Sequence, residues 1–167
     1  MVPDRDFGLA AEAPPDTRVL VLGSLPGRAS LRAAQYYAHP SNHFWRLMAA
    51  VIDRADLPAL AYRDRLAALH AARVGLWDTV DSAVRPGSLD AAMRAIAPRD
   101  LAAFVAGLPA LRAVAFNGSA SARIGRRQLA GTALALVDLP SSSAAHAALP
   151  FAAKLARWRE LAAFLPD

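Results

Sequence analysis

The stretch RVLVLGSLPG, residues 18–27, decides the fold that we predict for this chain. It carries four consecutive apolar side chains followed by glycine, which is typical of a short strand buried on both faces. The GSLPG turn (residues 23–27) then ends the strand. Three later segments resemble this strand: VGLWD at 74–78, LRAVAF at 111–116 and ALALVDL at 133–139. Together the four segments predict the strands of one sheet.

Helical patterns separate these strands. Apolar residues recur at helical spacing over 42–53 and 150–164, and further helices are expected at 62–72, 89–96, 98–106 and 118–127. Strands that alternate with helices favour a parallel sheet covered on both faces. The predicted fold class is therefore α/β, a three-layer α/β/α domain with a central, mostly parallel four-stranded sheet. In such a sheet the ligand lies at the carboxyl ends of the strands.

The chain has 167 residues and no cysteine. Its length fits one domain, and we expect residues 1–17 to be an irregular lead-in and residues 18–167 to form that domain. Without cysteine there is no disulfide, thiolate-ligated zinc, cysteine-held iron–sulfur cluster or cysteine nucleophile. No apolar run approaches the roughly 18 residues of a membrane span, and the N-terminus does not resemble a signal peptide. We therefore expect a cytoplasmic protein that does not associate with membranes.

The charge of the chain is compatible with a nucleic-acid partner but does not identify one. There are 19 Lys+Arg against 14 Asp+Glu, and the formal net charge is +5. All but one of the cationic residues are arginine, which binds phosphate well, yet a GC-rich genome would produce the same bias. The GSLPG turn lacks the GK[ST] ending of a P-loop and the third glycine of a dinucleotide fingerprint, and no HExxH zinc motif occurs. We expect neither a cofactor nor a metal ion.

One long segment carries most of the chemical signal. It is GSLPGRASLRAAQYYAHPSNHFWRLM, residues 23–48, and it is supported by GLWD at 75–78, FNG at 116–118 and LPSSSAAHA at 139–147. This combination resembles the uracil-DNA glycosylase superfamily over residues 19–165. The similarity is greatest to its hypoxanthine-type branch, the DNA-deoxyinosine glycosylases, which are related to the mismatch-specific uracil/thymine-DNA glycosylases. The resemblance implies a monomeric, cofactor-free repair enzyme that flips a deaminated base out of DNA and hydrolyses its N-glycosidic bond, leaving an abasic site.

The same resemblance assigns four residues to the base pocket: Gly23, Ser24, Tyr37 and Asp78. Tyr37 would stack on the flipped base, although it could also be an ordinary core aromatic. Asp78 stands where the wider superfamily has an asparagine that reads the base edge. A carboxylate there would accept the ring N–H that hypoxanthine, xanthine and uracil share; the alternative is a turn or capping residue.

The catalytic residue implied by the resemblance is Asn42. The mismatch-specific branch positions its water with an asparagine in the turn, where this chain has Leu25, whereas the hypoxanthine branch uses the asparagine of HPxN, which matches Asn42. An amide is a weak base, but it can hold a water beside C1′, which suffices if the bond breaks early. The alternative is that Asn42 only caps the following helix.

The second motif, LPSSS, implies contacts to DNA phosphates through Ser141, Ser142 and Ser143, with residues 142–145 probing the gap that the flipped base leaves. His146 is either a further DNA contact or a structural residue. Leu139 replaces a polar residue of other branches. Only small side chains follow it, so this motif has no leucine to fill a vacated base position.

The expected nucleophile is water, because the only lysine, Lys154, is expected in the terminal helix, away from the strand ends. Two other functions stay open. One is excision of mainly uracil. The other, suggested by the apolar Leu25 and Leu139 at polar positions of relatives, is a glycosylase-like fold that binds DNA with weak or no catalysis.

Overall fold

The computed structural model describes residues 4–167. Its strands are β1 (Arg5–Phe7), β2 (Val19–Gly23), β3 (Val74–Asp78), β4 (Val80–Val84), β5 (Arg94–Pro98), β6 (Ala113–Asn117) and β7 (Ala135–Leu139). Its α-helices are α1 (Arg28–Ala33), α2 (Phe44–Val51), α3 (Tyr62–Ala71), α4 (Leu101–Ala106), α5 (Ser119–Leu129) and α6 (Phe151–Trp158). Short 3-10 helices lie at Leu57–Ala59, Asp90–Ala92 and Arg159–Phe164.

The four apolar segments form one parallel sheet, as predicted, and the order of its strands is β3-β2-β6-β7. Successive residues of a strand point to opposite faces, and β2 shows this directly. Val19 and Val21 pack with side chains from α2, α3 and α6, whereas Leu20 and Leu22 pack with side chains from α4 and α5. The helices therefore cover both faces of the sheet, which confirms the predicted α/β fold class.

A second sheet, antiparallel and three-stranded, was not predicted. Its order is β1-β4-β5. Within the lead-in expected to be irregular, Arg5–Phe7 form β1 and Glu12 bridges to Leu76, while residues 1–3 lie outside the described part of the chain. The helix expected over 89–96 is wrong, because β5 occupies its second half. These short segments lack a period-2 apolar pattern, and pairing with β4 overrides their local preferences.

The other predicted helices differ from the observed ones mainly at their ends. The first predicted helix, 42–53, is shorter as α2, and the last continues past α6 as a 3-10 helix. The α1 helix follows the GSLPG turn and was not predicted. In the part of the chain that the structure describes, no helix is long and apolar enough to cross a bilayer. Within the same residues, no group of three or more acidic or histidine side chains is placed to hold a metal ion.

The carboxyl ends of the parallel strands all lie at one edge of the sheet, called here the carboxyl edge. The GSLPG turn is fixed at this edge because Gly23 O accepts a hydrogen bond from Thr79 N (2.8 Å) and Ser24 O accepts one from Val80 N (3.0 Å). The loop after β7 is linked to the same edge through Gly118 N, which donates to Leu139 O (3.1 Å). Because all four parallel strands end at this edge, the sequence motifs that follow them come together there.

Candidate active site at the carboxyl edge

Gly23, Tyr37 and Asp78 meet at the carboxyl edge. A Cβ atom placed on Gly23 would lie 2.7 Å from Asp78 Oδ1 and 3.3 Å from Tyr37 Oη. Any side chain at this position would therefore collide with the Asp78 carboxyl group. Because Gly23 has no side chain, the Asp78 carboxyl group and the Tyr37 hydroxyl can approach the end of β2. Three of the four predicted pocket residues are therefore neighbours in space.

The ring of Tyr37 is held rigidly in this pocket. One face stacks on Phe44, with ring centroids 3.8 Å apart and planes inclined by 16°. The backbone of Tyr37 is in the left-handed region (φ 54°), and Trp45 Nε1 donates a hydrogen bond to its carbonyl oxygen (3.1 Å). Asn117 Nδ2 donates to the Tyr37 hydroxyl (3.2 Å). Burial raises the pKa of Tyr37, so the phenol is neutral at pH 7.

Asp78 is a buried carboxyl group, with 3% of the residue exposed and no hydrogen bond to Oδ2 in the described residues. Burial raises its pKa to about 8. Of the charged neighbours, Arg99 and Arg85 lower this pKa and Asp90 raises it. At pH 7 the group is therefore mostly protonated, and it presents one O–H donor and one acceptor oxygen. The carboxylate that the sequence suggested is the minor form.

Asn42 lies directly before His43, the N-cap residue of helix α2, and is only half-buried. Its Oδ1 accepts a hydrogen bond from Phe44 N (2.9 Å), and its own backbone N–H donates to His39 O (3.0 Å). This is an Asx turn that satisfies the first N–H of the helix, a structural role close to the one in the alternative interpretation. It does not exclude the catalytic one, because a carbonyl oxygen has a second lone pair. Within residues 4–167 no group bonds to Asn42 Nδ2, so one oxygen site and the amide N–H groups stay available.

Ser142 does not occupy the position expected for a phosphate contact. It is 1% exposed, its Oγ accepts a hydrogen bond from Asn117 Nδ2 (2.9 Å), and its N–H donates to Asn117 Oδ1 (2.9 Å). Its carbonyl oxygen accepts a hydrogen bond from His43 N (2.9 Å). These contacts join the PSSS loop (residues 140–143) to β6 and to the start of α2. The Ser142 hydroxyl is buried and engaged, so the expectation that it touches phosphate does not fit the structure.

The two flanking serines are more accessible. Ser141 Oγ accepts a hydrogen bond from Ser143 N (3.1 Å), and Ser143 Oγ accepts one from Ala145 N (3.2 Å). Both are half-buried, and their hydroxyl protons have no acceptor among the described residues. His146 is exposed, and no side-chain hydrogen bond to it occurs in the described chain. These three residues have the freedom that a DNA contact requires.

Lys154 lies beneath the PSSS loop, contrary to the expectation that it lies away from the strand ends. Its residue is 1% exposed, and Nζ donates a hydrogen bond to Ser143 O (3.2 Å). Burial lowers its pKa. The reason for the difference is the packing of α6. Trp158 lies one turn after Lys154 and its Nε1 donates to Pro140 O (2.9 Å), so the helix face that carries both residues lies against the loop.

Two side chains that the sequence did not single out, Arg85 and Asp90, hold the GSLPG turn. Arg85 is 1% exposed, Nη1 donates to Leu25 O (3.0 Å), and Nη2 donates to Pro26 O and pairs with Asp6 (3.2 Å). Ser24, a predicted pocket residue, is buried and its hydroxyl donates to Asp90 Oδ1 (2.6 Å). No local pattern could reveal Arg85, because its partners lie about 60 or more residues away in the chain.

The chain is similar to known proteins over most of its length. The family model described as uracil DNA glycosylase superfamily matches residues 10–162. A hypoxanthine DNA glycosylase of Methanosarcina barkeri is 40% identical over 106 residues, which are 64% of this chain and 66% of that protein. A hypoxanthine DNA glycosylase of Methanosarcina acetivorans is 36% identical over 139 residues, 83% of this chain and 87% of that protein.

The fold has a close counterpart among solved structures. A solution NMR structure from Methanosarcina acetivorans, of a protein provisionally described as a uracil DNA glycosylase, superposes with a TM-score of 0.83. The two sequences are 33% identical, and the alignment covers 95% of this chain and 99% of that one.

Proposed function

The chain belongs to the uracil DNA glycosylase superfamily, and we propose that within it the protein excises hypoxanthine from DNA. It is a DNA glycosylase, an enzyme that hydrolyses N-glycosyl bonds. The choice of hypoxanthine is supported by two relatives of that name at 36% and 40% identity. Xanthine and uracil present the same kind of hydrogen-bonding edge and are the nearest competitors.

The observation that carries the proposal is the meeting of Gly23, Tyr37 and Asp78 at the carboxyl edge. A glycosylase must take the target nucleotide out of the duplex and hold the base between an aromatic ring and hydrogen-bonding groups. Phe44 covers one face of the Tyr37 ring, so the base stacks on the other face. The edge of the base then lies next to the Asp78 carboxyl group, which the missing side chain of Gly23 lets approach the end of β2.

Neutral Asp78 pairs with the lactam edge of the base. Hypoxanthine presents a ring N–H beside a carbonyl oxygen; the carboxyl group accepts from the first and donates its O–H to the second. As the glycosidic bond breaks, negative charge grows on the leaving base and spreads to that oxygen, where a donated hydrogen bond stabilises it. Asp78 then supplies stabilisation that Leu139, being apolar, does not provide.

Asn42 holds the attacking water. One lone pair of its Oδ1 accepts the hydrogen bond from Phe44 N, and the second accepts a hydrogen bond from a water placed beside C1′. The bond from C1′ to the base nitrogen breaks, its electron pair leaves with the base, and the water oxygen bonds to C1′. The proton lost by the water balances the charge on the released base. An amide is sufficient to orient this water because the glycosidic bond breaks early. The water then attacks an electron-poor sugar, so it does not need a strong base to remove its proton first.

Water, not Lys154, is the proposed nucleophile, so no lyase step follows. Lys154 is enclosed and hydrogen-bonded to Ser143 O. The proposed phosphate contacts are Ser141, Ser143 and His146, which are the accessible members of the second motif. We also infer that the protein acts as a cofactor-free, metal-free monomer in the cytoplasm, as the sequence suggests.

The deciding experiment compares excision from oligonucleotides that contain hypoxanthine, xanthine or uracil. We expect hypoxanthine to be removed fastest, and Asn42→Ala to lower the rate by about a hundredfold or more. Because this variant also loses the hydrogen bond to Phe44 N at the start of α2, the matched variant is Asn42→Ser. A serine hydroxyl can accept that hydrogen bond but lacks the amide, so this variant should keep the thermal stability and still lose excision.

Three results would contradict parts of this proposal. A clear preference for uracil would change the substrate, and a covalent adduct with DNA trapped by borohydride would replace water with Lys154. Wild-type excision at background for all three bases, with DNA binding intact, would favour a binding protein without catalysis.

A further inference from the structure

The second motif leaves one requirement of base flipping unmet. A nucleotide rotated out of a duplex leaves a gap in the base stack, and proteins commonly insert an apolar side chain at such a step. Residues 141–145 are serine and alanine only. If the gap is filled by protein, the side chain must come from another loop at the carboxyl edge.

The loop between β4 and β5, residues 85–93, presents such a side chain and is called here the Leu89 loop. Leu89 is 61% exposed, and Phe7 (63%) is the other large apolar residue of the described chain with comparable exposure. A single exposed leucine is ordinary on a protein surface. Its position is what makes Leu89 informative, because the next residue, Asp90, accepts the hydrogen bond from Ser24 Oγ (2.6 Å), directly after Gly23.

Contacts on both sides of Leu89 hold the loop against the GSLPG turn. Before it, Ser88 Oγ accepts a hydrogen bond from Arg28 N (3.1 Å), and Gly87 O accepts one from Arg28 Nε (3.1 Å). After it, Met93 is buried in a small cluster with Leu25. The loop is thus fixed to the turn that follows β2, and it holds Leu89 outward beside the base pocket.

The backbone around Leu89 is also ordered. Its carbonyl oxygen accepts a hydrogen bond from Ala92 N (3.1 Å), and Asp90 O accepts one from Met93 N (3.1 Å), which closes the 3-10 helix Asp90–Ala92. Nearby, α1 carries the exposed cations Arg28 and Arg32. A cationic surface next to an exposed leucine suits a DNA strand, whose phosphates lie outside its stacked bases.

We propose that Leu89 inserts into the duplex and occupies the place of the flipped nucleotide. The inference rests on the proposed function, since it concerns how the same enzyme holds its substrate. It assigns to the Leu89 loop the role that the small side chains of the second motif leave open. The occupant of this surface is the base stack of duplex DNA.

The test measures single-turnover excision of hypoxanthine from matched duplex and single-stranded oligonucleotides. We expect Leu89→Ala to slow excision from the duplex by about tenfold or more and to leave single-stranded excision unchanged, because a single strand has no stack to fill. Leu89→Met, which keeps a long apolar side chain, should restore most of the duplex rate. The matched control is Phe7→Ala, which removes an equally exposed apolar residue (63%) from β1 and should change neither rate.

A second measurement follows the stack itself. In the inactive Asn42→Ala background, 2-aminopurine placed next to hypoxanthine should brighten on binding, and less so when Leu89 is alanine. Unchanged duplex excision by Leu89→Ala, or an equal loss on both substrates, would overturn the inference while leaving the proposed function intact. If the wild-type protein cleaved neither substrate, the proposed function would fail, and this inference with it.

Discussion

At the scale of single residues, Asp78 has the hydrogen-bonding capacity of an amide because it is buried. A protonated carboxyl group offers one donor and one acceptor on neighbouring atoms, as an asparagine side chain does. The charged groups that face Asp78 are Arg85, Arg99 and Asp90, and the phenols of Tyr36 and Tyr37 are also near. Their effects partly cancel, so desolvation decides its state.

This state predicts a pH dependence. With a pKa of about 8, Asp78 keeps its proton at neutral pH and loses it as the pH rises further. The ionised group has no O–H to donate, and it repels the negative charge on the leaving base. Excision by the wild-type protein should therefore fall as the pH rises through about 8, measured in single-turnover reactions.

The matched variant is Asp78→Asn, which keeps a donor and an acceptor but cannot titrate. Its excision rate should be nearly constant over the same interval. An identical decline in this variant would assign the titration to another group and would contradict the neutral Asp78 mechanism.

At the scale of elements, the antiparallel sheet stabilises the GSLPG turn of the active site. Arg85 at the end of β4 joins Asp6 of β1 to the carbonyl oxygens of Leu25 and Pro26. Strand β1 therefore supplies the anion that accompanies a buried cation, and this cation fixes the GSLPG turn. A chain segment whose sequence predicts irregular structure thus helps to position the GSLPG turn at the carboxyl edge.

Removing this buried cation should destabilise the fold. Arg85→Met leaves the Asp6 carboxylate and two carbonyl oxygens without their partner, which should lower the free energy of unfolding by about 3 kcal/mol. The measurement is urea unfolding. Arg54→Met is the matched control, since it breaks an ion pair with Asp56 whose side chains are 45% and 56% exposed, and it should have little effect. A loss for Arg85→Met that is as small as the one for Arg54→Met would refute a structural role for Arg85.

At the scale of the whole molecule, the net charge of +5 matters through its distribution. Helix α5 begins at the carboxyl edge and runs away from it, so Arg126 and Arg127 lie near its far end. Arg126 pairs with Asp138 (3.1 Å). In contrast, Arg46 is exposed in the first turn of α2, close to Asn42, and its guanidinium lies 4.2 Å from the centroid of Phe151.

Arg46 is therefore the better candidate for a phosphate contact. Arg46→Gln should weaken binding to undamaged duplex and reduce the slope of log K against log salt concentration by about 1. Arg127→Gln removes the same charge from the far side and should leave the slope unchanged. The measurement is fluorescence anisotropy at several salt concentrations, and a larger effect of Arg127→Gln would place the DNA on another surface.

The strongly patterned elements were predictable and the weakly patterned ones were not. The strands β2, β3, β6 and β7 are short apolar runs, and such runs are buried wherever a sheet is covered on both faces. The rule that ligands lie at the carboxyl ends of parallel strands also anticipated that Gly23 and Asp78 come together. Strands β1 and β5 have no such pattern. They form by pairing with β4, and their local sequence does not show that pairing.

The sequence by itself determined the parallel sheet, the helices that cover it and the motifs that mark the family, because periodicity and turn chemistry act over a few neighbouring residues. Only the tertiary structure decided that Ser142 is buried, that Lys154 reaches Ser143 and that Asp78 keeps its proton. Burial, pairing and pKa depend on side chains that distant segments bring into contact. For that reason the motifs identified the kind of chemistry, and the packing around them set the state of each group.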